Sequence, residues 1–140
     1  MTTLQDCNIY TLKKISDLRG KIIVIESNKD IPFQIKRVYF TYDVPNGKNR
    51  GKHAHKSLKQ LIVAVSGSFD VHLDDGNEKE LVTLDCPHFG IYIAEMIWSY
   101  IDNYSSGAVS LVLASDFYNE DDYIRNYDDF LRAKGVGKRK

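Results

Sequence analysis

In the stretch "RGKHAHKSLKQLIVAV", residues 50–65, His53 and His55 stand one residue apart, just ahead of an apolar run. On a β-strand such a pair projects from one face with Cα atoms about 6.6 Å apart, so both imidazoles can reach one small molecule. Three readings are open: a pair of metal ligands, a pair of acid–base catalysts, or partly exposed polarity on an edge strand. A metal site needs further ligands. The residues after His55 read "KSLKQ", which offers Lys59 and Gln60 where a carboxylate is wanted, and an ammonium repels a cation. The later stretch "GIYIAEMIWSYIDN" has no histidine; His72 falls on a strand's alternate face and His88 follows Pro87. The expectation is therefore no metal. Metal-free acid–base chemistry suits imidazole, whose ordinary pKa is about 6.5. One histidine removing a carbon-bound proton while the other moves a proton between neighbouring oxygens is an isomerisation.

Something must hold these side chains in place, and the rest of the chain reads as strands. Short runs rich in Val, Ile, Tyr and Phe recur between Gly, Asn, Asp and Pro. Strands are expected near 9–15, 21–27, 33–42, 58–65, 68–75, 78–84, 89–95, 96–103 and 108–115, nine being an upper count. "SGS" at 66–68 and "DGN" at 75–77 are expected to turn tight hairpins. In "SFDVHLDD" the residues Phe69, Val71 and Leu73 share one face, leaving Asp70 and His72 facing solvent. Tyr123, Tyr127 and Phe130 fall at helical spacing, which predicts a short amphipathic helix over the barrel before a basic tail. So many antiparallel strands in 140 residues predict an all-β jelly-roll barrel in one domain, residues 1–140, with its core at about 9–132 and 133–140 disordered. A ligand is expected at the barrel mouth.

Composition narrows the function. Nineteen basic and nineteen acidic residues cancel, leaving no charge footprint for nucleic acid or an anionic membrane. Cys7 and Cys86 are too few for a disulfide framework, "MTTLQDCNIYTLKK" lacks a secretory pattern, and the longest apolar run, "LIVAV" at 61–65, is far short of a span of about 20 residues. A soluble, cytoplasmic protein is expected.

The segments "IPFQIKRVYF" (31–40), "RGKHAHKSLKQLIVAVSGS" (50–68), "LDDGN" (73–77), "GIYIAEMIW" (90–98) and "LVLASDFYNEDDYIRNYDDF" (111–130) resemble, in order and spacing, the sugar 3,4-ketoisomerases of the cupin superfamily, the FdtA and QdtA kind with a WxcM-like domain. The resemblance implies a cupin-type jelly-roll homodimer, without metal or other cofactor. It implies an enzyme that moves the carbonyl of dTDP-4-keto-6-deoxy-D-glucose from C4 to C3 through an enediol, in the making of deoxyamino sugars for bacterial lipopolysaccharide or S-layer glycans. It also implies a catalytic role for His53 and His55, with Tyr39 and Arg50 lining the same pocket. Tyr39 can serve as a neutral donor to the enolate oxygen or as a core tyrosine. Arg50 and Arg37 suit the diphosphate, because guanidinium donors match phosphate oxygens in pairs. Lys36 and Arg37 alternate, so one of them faces outward. Trp98 can stack on the thymine or belong to the core.

Two departures from the family pattern stand out, the first bearing on the product and the second on the loop at the pocket mouth. Ser99 stands where relatives carry a basic residue tied to the configuration at C4, and Arg19 matches the version that gives the galacto product. Ala94, Glu95 and Met96 replace a Gly-Pro turn. Other readings stay open: a dTDP-sugar 3,5-epimerase, for which no His–Asp pair is legible, a cupin that binds a nucleotide sugar without turning it over, and, last, a metal-dependent oxygenase.

Overall fold

A computed structural model describes residues 1–136. Twelve strands lie among them: β1 (Asn8–Thr11), β2 (Lys13–Asp17), β3 (Gly20–Val24), β4 (Arg37–Tyr42), β5 (Arg50–His55), β6 (Gln60–Ser66), β7 (Phe69–Asp74), β8 (Lys79–Leu84), β9 (Phe89–Ile93), β10 (Trp98–Asp102), β11 (Val109–Ala114) and β12 (Tyr123–Ile124), followed by helix α1 (Tyr127–Lys134). One five-stranded sheet has the order β1-β9-β6-β11-β4 and the other β12-β5-β10-β7-β8, while β2 and β3 pair only with each other. The strands pair antiparallel, and the two sheets face each other as a jelly-roll sandwich.

Burial follows the alternation of each strand. Ile62 and Ala64 of β6 face inward with Phe69, Val71, Leu73, Ile91 and Val112. Leu61 and Val63 pack the opposite way, under Ile31 and Phe33 of the segment that precedes β4. β6 is thus covered on both faces, which is why its sequence is a continuous apolar run rather than an alternating one. On β4 the alternation is plain: Arg37, Tyr39 and Thr41 line an internal cavity, whereas Val38, Phe40 and Tyr42 are exposed on the other face.

The two hairpin turns form as expected, with Gly67 and Gly76 at positive φ. Gly67 is doubly constrained, because a Cβ there would lie 2.8 Å from the Ala108 backbone.

Four expectations need correction. The count of nine strands is exceeded, because the run at 9–15 breaks at Leu12, which is buried and donates its amide to the His88 carbonyl outside the ladder. β5 also escapes a propensity reading, being built of Arg, Gly, Lys and His. The helix begins at Tyr127 with Asn126 as its cap, so Tyr123 belongs to β12 instead. The tail begins later than residue 133, since Lys134 closes α1 with its side chain buried and its Nζ donating to the Thr2 and Met96 carbonyls; residues 137–140 lie outside those described. His72 does lie on the outer face, but half-buried, stacked on Tyr100 at 4.3 Å and 2.7 Å from Asp102 Oδ1. No helix among the described residues is long and apolar enough to cross a membrane.

Candidate active site

In a regular strand, residues three apart point to opposite faces. Arg50 and His53 nevertheless line the same cavity. The reason is a bulge in β5: Ser99 pairs with His53 and Ile101 with Arg50, so β5 spends one residue more than β10 over this span. Gly51 takes φ +79°, a conformation that costs a residue with a side chain about 1–2 kcal/mol. The bulge turns Arg50 inward beside the histidine pair.

The cavity has a volume of about 390 Å³. His53, Tyr39, Arg37, Arg50 and Ser99 share its wall with Gln60. Lys36, the neighbour of Arg37, is exposed, as the alternation requires. Ser99 is 6 % exposed and sits directly across the ladder from His53. His55 lies one ring deeper, 3 % exposed, with its ring centre 4.8 Å from that of His53 in an edge-on contact.

Trp98 and Arg19 are placed elsewhere. Trp98 is buried against Tyr127 and Phe130, under α1, and does not line this cavity. Arg19 occupies the β2–β3 turn with its side chain 90 % exposed, paired to Asp17 at 2.8 Å.

The structure also brings in residues that the sequence left unremarked. β12 pairs with β5, setting Tyr123 opposite His55 and Ile124 opposite Ala54. Immediately before β12, Asp122 accepts a hydrogen bond from His55 Nδ1–H at 3.1 Å. The same carboxylate accepts from the Ser57 amide at 2.9 Å, the Ser57 hydroxyl at 2.8 Å and the Leu58 amide at 3.3 Å. A His–Asp pair therefore exists, contrary to the reading of the sequence, built across 67 residues of chain. The Tyr123 ring packs 4.8 Å from His53 and 4.4 Å from His55. Over the same ring lies the Arg125 guanidinium at 4.1 Å, itself held by Glu120 at 2.8 and 3.0 Å.

These contacts set the charge states. Burial pushes the His53 imidazole down to about 4, helped by His55 and by the Arg125 charge. Burial also lowers His55, against the opposing pull of Asp122. For Asp122 burial disfavours the carboxylate, but the bonds from Ser57 and His55 outweigh it and keep the group below its ordinary value. Near neutral pH both imidazoles are thus uncharged. With Nδ1–H committed to Asp122, His55 keeps a free basic Nε2, buried and without a protein partner. Tyr39 is 37 % exposed, yet enough protein surrounds its ring that desolvation pushes the phenol up to about 12, so it remains a donor. Among the described residues no cluster of three or more His, Cys, Asp or Glu side chains is placed to hold a metal ion, and Lys59 turns to Glu95 at 3.6 Å.

Comparison with known proteins identifies a family. The family model described as FdtA: WxcM-like, C-terminal matches residues 5–135. The TDP-4-oxo-6-deoxy-alpha-D-glucose-3,4-oxoisomerase of Aneurinibacillus thermoaerophilus is 49 % identical over 124 residues, 89 % of each chain. The crystal structure of a 3,4-ketoisomerase from Helicobacter canadensis superposes with a TM-score of 0.90 at 44 % identity, over 93 % of this chain and 98 % of that one. A His-to-Asn variant of the 3,4-ketoisomerase QdtA from Thermoanaerobacterium thermosaccharolyticum, in complex with TDP-4-keto-6-deoxyglucose, superposes with a TM-score of 0.92 at 37 % identity, over 94 % and 96 %. A paired, neutral His-x-His in a jelly-roll cavity, a family model spanning nearly the whole chain and relatives of this closeness lead to one assignment: the chain belongs to the FdtA, WxcM-like family of cupin-type sugar 3,4-ketoisomerases.

Proposed function

We propose that this chain converts dTDP-4-keto-6-deoxy-D-glucose to a dTDP-3-keto-6-deoxyhexose, with the galacto configuration at C4 taken from the resemblance at Arg19, a residue that stands outside the cavity of its own chain. The observation that carries the reading is the juxtaposed pair of uncharged imidazoles, one fronting the cavity and one fixed in a single tautomer behind it. The C3 proton is acidified by the neighbouring C4 ketone, and His53, at the cavity wall, removes it. Its bonding electrons form a C3–C4 double bond, and the C4 oxygen becomes a hydroxyl, giving the enediol. Protonation at C4 and loss of the C3 hydroxyl proton then place the carbonyl at C3. His55 Nε2 handles the oxygen-bound proton, while the Tyr39 hydroxyl donates to the oxygen that gains charge. Arg37 and Arg50 supply cations for the diphosphate along the same wall.

The His55–Asp122 pair removes one argument against a 3,5-epimerase, but that reaction wants the Asp-paired histidine as the base facing the sugar, whereas here the imidazole on the cavity wall is His53 and the Asp-paired His55 lies behind it. Conversion of dTDP-4-keto-6-deoxyglucose followed by proton NMR tests the reading: the proposal expects a 3-keto product whose C4 proton shows galacto coupling. An unchanged sugar, or an epimer at C5 with the ketone still at C4, would overturn it.

The pH dependence follows from the shifted histidines. Because His53 stays neutral until about pH 4, kcat/KM is expected to hold level as the pH falls through the ordinary imidazole range near 6.5 and to decline only toward about 4. The unfolded chain binds a proton at His53 over that window and the folded chain does not, so the fold itself loses stability as the pH is lowered through it. A decline in kcat/KM centred at or above 6.5 would show that His53 is not held neutral.

We further propose a homodimer. The β2–β3 pair stands outside both main sheets and exposes Ile15, Leu18 and Ile22, while the outer face of β4 exposes Val38, Phe40 and Tyr42. Apolar surface of that extent marks a contact face. Light scattering is expected to give twice the 16.0 kDa chain mass, and Phe40→Asp to shift the species toward monomer; a monomeric wild type would refute the dimer.

A further inference from the structure

The chemistry above asks His55 to move a proton between two sugar oxygens, yet its ring does not line the cavity that would take the sugar. It lines a second and much smaller pocket of about 30 Å³, whose walls include Arg37, Asp122, Tyr123 and Phe117. Arg37 and Tyr123 belong to both walls, so the small pocket adjoins the large one through them. A water needs at least about 10–15 Å³ of such space. The pocket therefore suits a water and excludes a sugar ring.

Two buried polar atoms of its lining residues have no protein partner, His55 Nε2 and Arg37 Nε. They are complementary. With Nδ1–H given to Asp122, Nε2 of the neutral ring is a bare acceptor, whereas Arg37 Nε–H is always a donor. No direct bond joins them, although the Arg37 charge is close enough to help hold the His55 imidazole down. Both groups are fixed: the guanidinium lies 5.4 Å from the centre of the Tyr39 ring and 5.7 Å from that of Tyr118, and His55 is 3 % exposed and tied to Asp122 at 3.1 Å. Buried donors and acceptors are rarely left unmet, and a single water oxygen can accept from the one and donate to the other.

We propose that one water occupies this pocket, held by Arg37 Nε–H and His55 Nε2, and that through it His55 exchanges protons with the sugar oxygens, a step that rests on the ketoisomerase reading above. A sugar hydroxyl gives its proton to the water as the water gives one of its own to Nε2. One O–H bond forms and one breaks at the water oxygen, and His55 becomes an imidazolium whose charge Asp122 balances. The reverse transfer hands a proton to the neighbouring sugar oxygen and restores the neutral ring. Arg37 divides its donors: Nε–H fixes the water, and the terminal nitrogens remain for the diphosphate.

A crystal structure at a resolution that orders internal water is expected to show one within about 3.2 Å of both Arg37 Nε and His55 Nε2. The rate of dTDP-4-keto-6-deoxyglucose conversion in mixtures of light and heavy water is expected to curve with deuterium fraction, because two protons move together at the water. Direct transfer to His55 would give a straight line. Arg37→Lys keeps the cation and removes the Nε–H donor, so it is expected to lose both the ordered water and the curvature and to lower kcat about tenfold or more, with thermal melting as the control for folding. A dry pocket, a water bonded to only one of the two atoms, a straight line for the wild type, or wild-type kcat and curvature in Arg37→Lys would overturn the proposal. If the water is found where expected but the wild type leaves the sugar nucleotide unchanged, the ketoisomerase reading fails and the water site stands.

Discussion

Replacing His53 or His55 by asparagine is expected to lower kcat by roughly 10²–10⁴-fold, the usual worth of a positioned acid–base group. Asparagine keeps the polarity and approximate size of the imidazole end but cannot carry a proton, so the loss reports chemistry rather than packing. The two variants should differ in one respect. His53 fronts the cavity, so its loss also disturbs the contact with bound sugar, whereas His55 is 3 % exposed behind it, so its loss should appear almost wholly in kcat. Steady-state kinetics on each, with thermal melting as the control for folding, separates these effects. Near-wild-type turnover in either variant would remove that histidine from the mechanism.

The second large effect is expected at Asp122, which touches no substrate and acts through His55. In Asp122→Asn the two donors of Ser57, its amide and hydroxyl, hold the remaining carbonyl oxygen on their side. The amide nitrogen is then left facing His55 Nδ1. It donates there, so Nδ1 becomes the acceptor and the proton moves to Nε2. The imidazole remains neutral but presents the wrong atom, and kcat should fall about a hundredfold or more while KM changes little. A purely structural role for Asp122 would instead lower the melting temperature and leave the histidine tautomer alone. Nitrogen-15 NMR of the imidazole distinguishes the two: the account predicts a tautomer exchange at His55.

Much of the scaffold is legible in the sequence because its signals are local. The alternation of Phe69, Val71 and Leu73 and the glycine turns at 67 and 76 specify β6, β7 and their connection without reference to the rest of the chain. The pair His53 and His55 is equally visible. The geometry around it is not. A helical spacing of aromatics at 123, 127 and 130 misassigns Tyr123, because pairing of β12 with β5 overrides the periodicity. Asp122 sits in "NEDDYIR" with two other carboxylates to choose from, and only the register of that two-residue strand selects it. Arg50 and His53 have spacing that a regular strand would forbid for a shared site; Gly51 was the available clue, since a glycine within a strand pattern points to a bulge. Trp98 shows the converse case, where a residue type suited to stacking on a base is claimed by the contact with α1.

The proposed reaction turns on proton transfer at adjacent carbons through an enediol. The most direct measurement is proton NMR of dTDP-4-keto-6-deoxyglucose incubated with the wild-type protein in deuterated water. The account predicts a 3-keto product carrying deuterium at C4, formed by the wild type and not by His53→Asn. Deuterium at C5 with the ketone still at C4, or no exchange at any carbon, would contradict it.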